Sequence, residues 1–489
     1  MSHAYTTGLS SRRLEDWFHI MGQSQAEVVD ASVYPPLHVT YKELIEAVQA
    51  TTEEWEHKGI QTGHIVVLAM PSNLTLLIHI LALMRLKAAP APISNLFGTE
   101  TLSHICKTIH PAAILTSSGK LDEVLPSSFL ASEQPFSFYT PNTKLYINQD
   151  VTPDTSMEGC LILSTTGSTG LPKSVVHLAE NVIINAYLHT KSIEESRGGT
   201  YISTLPIFYS YGLIAGLFGA LTLGKTIYFP EQPFSPHNWL DFCEQNNIAL
   251  ASITPSLLHR LVALDKPFPS GLKKLTVGGD SSNLNDLYKL RERFEGEIYL
   301  TYGLSEAGPR VMTNKLGPDD RLWPYMGMPL DGVEVTLANS ERVNGEEVGE
   351  LLIYTPTAML GYLDNHMFCR DDFVGDWLKT GDICARAIAF PEQLRFVERK
   401  KNIIICGGEK LYPGIIRNVL LQHPLVEEAK IIALDDARWG SVPSAIVKLS
   451  EAGTSSDLPG IMEWCKKYLR KVEVPRSIEA DPNLKVVMK

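Results

Sequence analysis

The sequence predicts an α/β protein followed by a smaller β-rich unit and a compact final α+β unit, on three observations. Short β-branched runs alternate with helical patterns as far as Gly327. Beyond it the texture changes to short strands parted by turns. From about Lys401 a helix, two strands and a second helix follow one another closely. Alternation of the first kind favours largely parallel, buried strands, because each crossover lays a helix on a sheet face.

Element by element, HIVVLAM (His64–Met70) reads as a strand and Leu76–Leu86 as the helix after it. AAIL (Ala112–Leu115), CLILSTT (Cys160–Thr166) and KLTVGG (Lys274–Gly279) read as further strands, with a helix expected after His177. Leu74–Met84 is the most apolar run, but about 11 residues including His79 are too few to cross a bilayer, so it reads as a buried helix. GVEVTLA, GELLIY, LRFVER and KNIIICGG are short strands, GYLD (Gly361–Asp364) is loop-like, and FVGDWLKTGDICARAIAF has the look of a hairpin. The final unit, roughly 90 residues and thus of ordinary domain size, starts with a helix over Tyr412–Pro424. The strands AKIIALDD and SAIVKLS and the amphipathic helix LPGIMEWCKKYLRKV follow. ERKKN (Glu398–Asn402) is the expected hinge, so the domains are expected to span 1–400 and 401–489.

Composition narrows the function classes. The chain has 489 residues, a net charge of −12 and ordinary apolar content of 44%, which argues against nucleic acid or an anionic membrane as the main partner. Seven scattered cysteines without a C-x-x-C give neither a disulfide frame nor a zinc site. A reducing cytoplasm is the expected compartment. The N-terminus lacks the apolar core of a signal peptide, and no membrane span is visible.

One stretch stands out, TTGSTGLPK (Thr165–Lys173). It does not match G-x-x-x-x-G-K-[ST]. A Gly- and hydroxyl-rich turn leaving a strand can wrap backbone N–H groups and hydroxyls around phosphate oxygens, with Lys173 adding a point charge; a plain surface turn is the alternative. TYGLSEAG (Thr301–Gly308) places Glu306 in a tight turn, where a carboxylate suits Mg²⁺ or simply the start of a helix. In LKTGD, Asp382 can accept hydrogen bonds from a ribose or close an Asx turn. Gly407 and Gly408 in IIICGGEKLYP mark a tight connection.

In this order the segments resemble the adenylate-forming superfamily of acyl- and aryl-CoA ligases, adenylation domains, luciferases and amide-bond synthetases. TTGSTGLPK, TYGLSEAG, VGELLIY with GYLD, WLKTGD, ERKKNIIICGGEKLYP, and HPLVEEA before DDARWG all fit, and the likeness runs from about Val67 to the end of the chain. The resemblance implies a large N-terminal domain of two α/β subdomains and a β-rich subdomain, with a small mobile C-terminal lid. It implies that Thr165, Thr166, Gly167, Ser168, Thr169, Gly170 and Lys173 embrace the ATP phosphates. Gly279, Asp280 and Ser281 would lie beside adenine, with Tyr302 on the base and Gly303 and Ser305 close by. Glu306 would hold Mg²⁺, Asp382 and Arg399 would grip the ribose, and Lys401 would be the hinge. The catalytic lysine falls on Lys485 in DPNLKVVMK, with Leu484 in place of the usual glycine and Lys489 as substitute. Two further departures are Ser174 after Lys173, and Ile415 and Ile416 where an acidic residue commonly follows YP.

LPIFYSYGL (Leu205–Leu213) matches the acid-pocket entrance, with Phe208 and Tyr209 there. Tyr209 replaces the Asp that pairs an α-ammonium in amino-acid-activating members, which argues against an amino acid. Val277, Gly278 and Gly279 would form the floor, with Thr301 near. Arg310 approaches the same pocket by analogy and either meets a polar group on the acid or, more simply, faces solvent. A mostly apolar aryl or acyl acid of modest size is expected. The acceptor is CoA by the wording of GGEKLYP, or the phosphopantetheine of a carrier protein, or an amine. A nucleotide-binding member without ligase activity is the remaining alternative.

Overall fold

The computed structural model describes residues 14–117, 125–132, 136, 143–165, 171–317, 325–343, 345–388, 390–436 and 438–484. Thr166, Gly167, Ser168, Thr169 and Gly170 of the phosphate loop, and Lys485 and Lys489, lie outside the described residues. The chain forms two compact units, Met1–Glu334 with Tyr354–Leu378, and Val335–Ile353 with Lys379–Lys489.

Three sheets build the first unit. The largest has nine strands. Glu27–Asp30, Thr226–Phe229, Thr200–Ile202, Leu250–Ile253, Lys274–Gly278 and Glu297–Gly303 run parallel in that order. Arg310–Lys315 closes back antiparallel on Glu297–Gly303, with Met328–Pro329 beyond it, and Leu37–Thr40 pairs antiparallel at the opposite edge. In the five-stranded sheet, Ala89–Ser94, Ile65–Met70 and Ala113–Thr116 are parallel, and Lys144–Asn148 and Phe129–Ser132 are antiparallel. Ile65–Met70 is buried along its whole length, as a strand covered on both faces must be.

Leu74–Arg85 is the buried helix that its apolar run predicts, with Leu74 to Met84 all inside. Asn73 caps it by accepting from the Leu76 N–H at 3.2 Å. The buried Asp30 carboxylate accepts from the Leu74 N–H at 3.2 Å, joining the first parallel strand to this helix. Among the described residues no helix is long and apolar enough to cross a membrane. All seven cysteines are free thiols.

The third sheet, of four strands, shows what the sequence reading missed. Between the phosphate loop and the helix Ala179–Ser192 lies a strand, Lys173–Leu178, antiparallel to Cys160–Thr165. GYLD is not a loop but the strand Gly361–Asp364, paired with Lys173–Leu178 so that Tyr362 faces Val175 in register. This pairing joins segments far apart in the chain, Tyr362 with Val175, and no local pattern encodes it.

In the second unit, Glu334–Val343, Glu346–Tyr354, Trp377–Ala387 and Phe390–Arg399 contribute to one sheet. A second has the order Glu409–Leu411, Ile404–Cys406, Gly440–Leu449, Val426–Asp436, with Ile478–Ala480 parallel on Gly440–Leu449. The expected helices appear as Pro413–Leu421 and Leu458–Tyr468. One apolar core joins Val343, Ile383 and Val397 to Tyr412, Ile415 and Ile416. In the conformation described, the compact unit therefore extends to both sides of the 400/401 border expected from sequence. The isoleucines that replace an acidic residue after YP are thus core residues.

Three histidines of the first unit are buried without charge. Burial pushes His79 and His189 down to about 3 and His177 to about 4. His79 sits edge-on to the Trp55 and Phe136 rings. Since the unfolded chain binds these protons near pH 6.5 and the native protein does not, stability rises with pH across this window and is lost as pH falls from 6.5 toward 4. Each contributes a slope of about 1.4 kcal/mol per pH unit. Denaturant titrations at pH 7, 6, 5 and 4.5 should show this loss, and His79→Phe should remove about one proton of slope; a flat profile would contradict the burial assignment.

Candidate functional site

The site is assembled around one short segment, Ser305 to Arg310, which leaves the parallel strand Glu297–Gly303 and returns as the antiparallel strand Arg310–Lys315. Its backbone is held at nearly every step. His177 Nε2, donating, lies 2.7 Å from the Ser305 carbonyl. The Met359 N–H donates to the Glu306 carbonyl at 2.8 Å, and the Thr357 hydroxyl to the Ala307 carbonyl at 3.0 Å. The fully buried Asn185 side chain takes both backbone groups of Arg310, accepting from its N–H at 2.9 Å and donating to its carbonyl at 2.9 Å. Gly308 sits at φ +102, where a Cβ would also come within 2.5 Å of the Thr357 carbonyl oxygen, so a side chain there meets both strain and a clash.

Glu306 projects from the single helical turn Ser305–Ala307. The Tyr362 hydroxyl donates to Glu306 Oε1 at 2.7 Å. Burial, then the carboxylate of Glu306 and that of Asp372, raise the Tyr362 phenol, so it stays protonated as the donor. Lys173, opposite Thr165 at the mouth of the hairpin, places its Nζ 4.3 Å from the centre of the Tyr362 ring. One tyrosine therefore touches both the phosphate-loop lysine and the expected metal ligand. Among the described residues no three His, Cys, Asp or Glu gather as a metal cage. A carboxylate hydrogen-bonded to Tyr362, whose ring also meets Lys173, fits Mg²⁺, which keeps waters and takes substrate phosphates as ligands. Ser305 adds a hydroxyl contact to Ser210 at 2.8 Å.

Arg310 corrects the sequence reading. It does not face solvent, being 2% exposed. Its Nη1 donates to the Thr301 hydroxyl at 2.5 Å, its guanidinium lies 4.1 Å from the centre of the Tyr211 ring, and its Nε has no hydrogen-bond partner. Among the described residues no carboxylate pairs with it. Burial lowers its pKa, yet a guanidinium remains charged in a protein. A desolvated cation–π contact is worth about 2 kcal/mol, less than the several kcal/mol that a buried ion costs. The Tyr211 hydroxyl in turn meets the Thr276 hydroxyl at 2.9 Å. Thr301 and Gly278 are neighbours in register, and a Cβ on Gly278 would stand 2.2 Å from Thr301 Oγ1 and 3.1 Å from Arg310 Nη1.

The remaining candidates of this unit fall nearby in sequence. Val277 and Gly278 end the strand Lys274–Gly278, and Gly279 turns out of it at φ +91. Asp280 Oδ1 accepts from the Ser281 N–H at 2.8 Å. Tyr302 and Gly303 flank a bulge against the strand Arg310–Lys315. Phe208 and Tyr209 stack edge-on, ring centres 4.8 Å apart, with Tyr209 40% exposed. It is Tyr211, not Tyr209, that reaches Arg310; it begins a wide helical stretch, Tyr211–Phe218, of the kind often found at functional sites.

In the second unit, Asp382 and Arg399 face each other across a hairpin, with Arg399 Nη1 2.6 Å from the buried Asp382 Oδ1. The Asp382 N–H donates to the Thr380 hydroxyl at 3.0 Å. Lys401 is exposed in the turn Lys400–Asn402, beside a 2.6 Å ion pair of Lys400 with Glu350.

Sequence reasoning missed His177, Asn185, Tyr211, Thr357 and Tyr362. A trace existed for two of them. Asn185 interrupts an apolar helix and His177 ends a β-branched run, and buried polar residues in such places require specific partners.

Known proteins with similar sequences and folds agree with the motifs. Residues 22–363 match the AMP-binding enzyme family and residues 416–485 the AMP-binding enzyme C-terminal domain. A 2-succinylbenzoate–CoA ligase of Bacillus pumilus is 27% identical over 456 residues, covering 91% of this chain and 90% of that one. The Bacillus licheniformis protein of the same name is 30% identical over 325 residues, 65% of this chain and 66% of that one. Among solved structures, o-succinylbenzoate CoA synthetase from Bacillus subtilis, in complex with its acyl-adenylate, superposes with a TM-score of 0.76 at 22% identity, covering 96% and 95% of the two chains. An anthranilate CoA ligase bound to anthranoyl-AMP superposes with a TM-score of 0.78 at 18% identity, covering 97% and 96%. These matches bear out the expected multi-sheet fold and the motif resemblance. The chain belongs to the AMP-binding enzyme family.

Proposed function

We propose that this chain is an ATP- and Mg²⁺-dependent, AMP-forming ligase that joins an aryl or acyl acid to the thiol of CoA, with 2-succinylbenzoate the acid to test first. The observation that supports it most is the cluster of Lys173, Tyr362 and Glu306 next to a phosphate-type loop, on a chain of this family. The relatives' names supply the acid and acceptor.

In the first half-reaction the acid's carboxylate oxygen attacks the α-phosphorus of ATP, and pyrophosphate leaves. In the second, the CoA sulfur attacks the acyl carbon, the thiol proton is lost, and AMP leaves with the former carboxylate oxygen. Thr165 and Lys173, with Thr166 to Gly170, hold the phosphates. Glu306 holds Mg²⁺, which offsets charge on the phosphate oxygens when bound. Tyr362, acting through Glu306, fixes which carboxylate oxygen is free. Gly279, Asp280, Ser281 and Tyr302 take the base side, and Asp382 with Arg399 the ribose. Lys485 stabilises the transferring group in the first step, and Lys401 is the pivot between residues 1–400 and 401–489 for the second.

Acid-dependent ATP–pyrophosphate exchange tests the reading directly. Exchange with 2-succinylbenzoate, followed by release of AMP when CoA is added, is the expected result; ADP as product, or no exchange across aryl and aliphatic acids, rejects it. Glu306→Gln should lower exchange at least about 100-fold. Tyr362→Phe loses a hydrogen bond to a charged acceptor, about 1.5–3 kcal/mol, so exchange should fall about tenfold and half-maximal rate should need more Mg²⁺. An unchanged Mg²⁺ dependence would remove Tyr362 from this role. Lys485→Ala should abolish exchange while leaving thioester formation from pre-made acyl-AMP, and Lys489→Ala should leave both intact; the reverse pattern would move the role to Lys489.

A further inference from the structure

Resting on the ligase reading above, we propose that Arg310 binds a second anionic group on the acid substrate, distant from the carboxylate that is adenylated, and so selects diacids over monoacids. The guanidinium is buried and has an unpartnered Nε, and the partners it meets among the described residues are a hydroxyl and an aromatic ring. A buried cation without a counter-ion is unfavourable, and a planar guanidinium matches a carboxylate in a two-pronged geometry. Gly278 lets the guanidinium and Thr301 pack close against the end of its strand, since a Cβ there would stand 3.1 Å from Nη1 and closer still to Thr301. The group is also held in place: Asn185 fixes its backbone from both sides and Tyr211 supports its face.

The other ionisable group near it cannot neutralise it. His189 is fully buried and held neutral by burial and then by the positive charge of Arg310. Thr276 and Thr301 bring only hydroxyls. The unfilled charge is therefore available to a ligand, and a carboxylate is the ligand chemistry that fits it.

The test compares 2-succinylbenzoate with 4-oxo-4-phenylbutanoate, which has the same skeleton without the ring carboxylate, in ATP–pyrophosphate exchange at limiting acid. The wild-type chain should favour the diacid by at least about 30-fold, because a site built for a charged partner rejects the analogue lacking it. Arg310→Met should lower diacid use about 100-fold or more and leave the monoacid within about threefold. Arg310→Lys keeps the cation without the fork and covers poor folding of the methionine variant; it should fall for the diacid and spare the monoacid. Equal losses for both acids in both variants, or no preference in the wild type, would overturn the inference while the ligase reading stands. Absence of exchange by the wild type with every acid tried would overturn the ligase reading, and this inference with it.

Discussion

The site depends on the clamping of one backbone segment, Ser305 to Arg310. Hydrogen bonds from His177, Met359, Thr357 and Asn185 take the carbonyls of Ser305, Glu306, Ala307 and Arg310. None of these groups needs to touch a substrate. Together they fix where two side chains of opposite charge emerge from the same short loop, Glu306 at the phosphate loop and Arg310 against Tyr211 and Thr301. Preorganised charge is worth more in such a setting than in water, because little reorganisation remains at the moment of reaction.

This arrangement concentrates risk as well as function. A satisfied buried hydrogen bond adds only about 1 kcal/mol net, but leaving its partner unsatisfied costs about 1–3 kcal/mol. Asn185 serves two groups of Arg310 and the Thr357 hydroxyl together, so its loss would orphan several at a stroke. Arg310 is the exception, a polar group buried ahead of its full complement of partners. Structures tolerate such departures mainly where a ligand completes them.

How much of this was legible depends on range. The parallel strands, the buried helix after Met70 and the turn bearing Glu306 follow from local pattern and turn chemistry, and they stand where the sequence puts them. The antiparallel partner of the loop did not, because GYLD reads as a turn until it pairs with Lys173–Leu178 far along the chain. That pairing alone brings Tyr362 to Glu306. Arg310 was named from its place after the Glu306 turn, yet its surroundings were misjudged: burial is a property of Tyr211, Thr301 and Asn185 arriving from three other elements. Lys485 and the glycines of the loop lie outside the described residues, and their roles rest on motif alone.

The two halves of the site make one chemical proposal. TTGSTGLPK and TYGLSEAG are the segments that resemble adenylate-forming enzymes at large, so they say little about which acid. Arg310 is the group that distinguishes among acids. The most direct measurement is a crystal structure of the chain with the sulfamoyl-adenylate analogue of 2-succinyl-benzoyl-AMP. The account predicts the free carboxylate within about 3 Å of the Arg310 guanidinium, with the Ser305–Arg310 backbone unmoved. A free carboxylate bound elsewhere, with Arg310 still turned only to Thr301 and Tyr211, would contradict it.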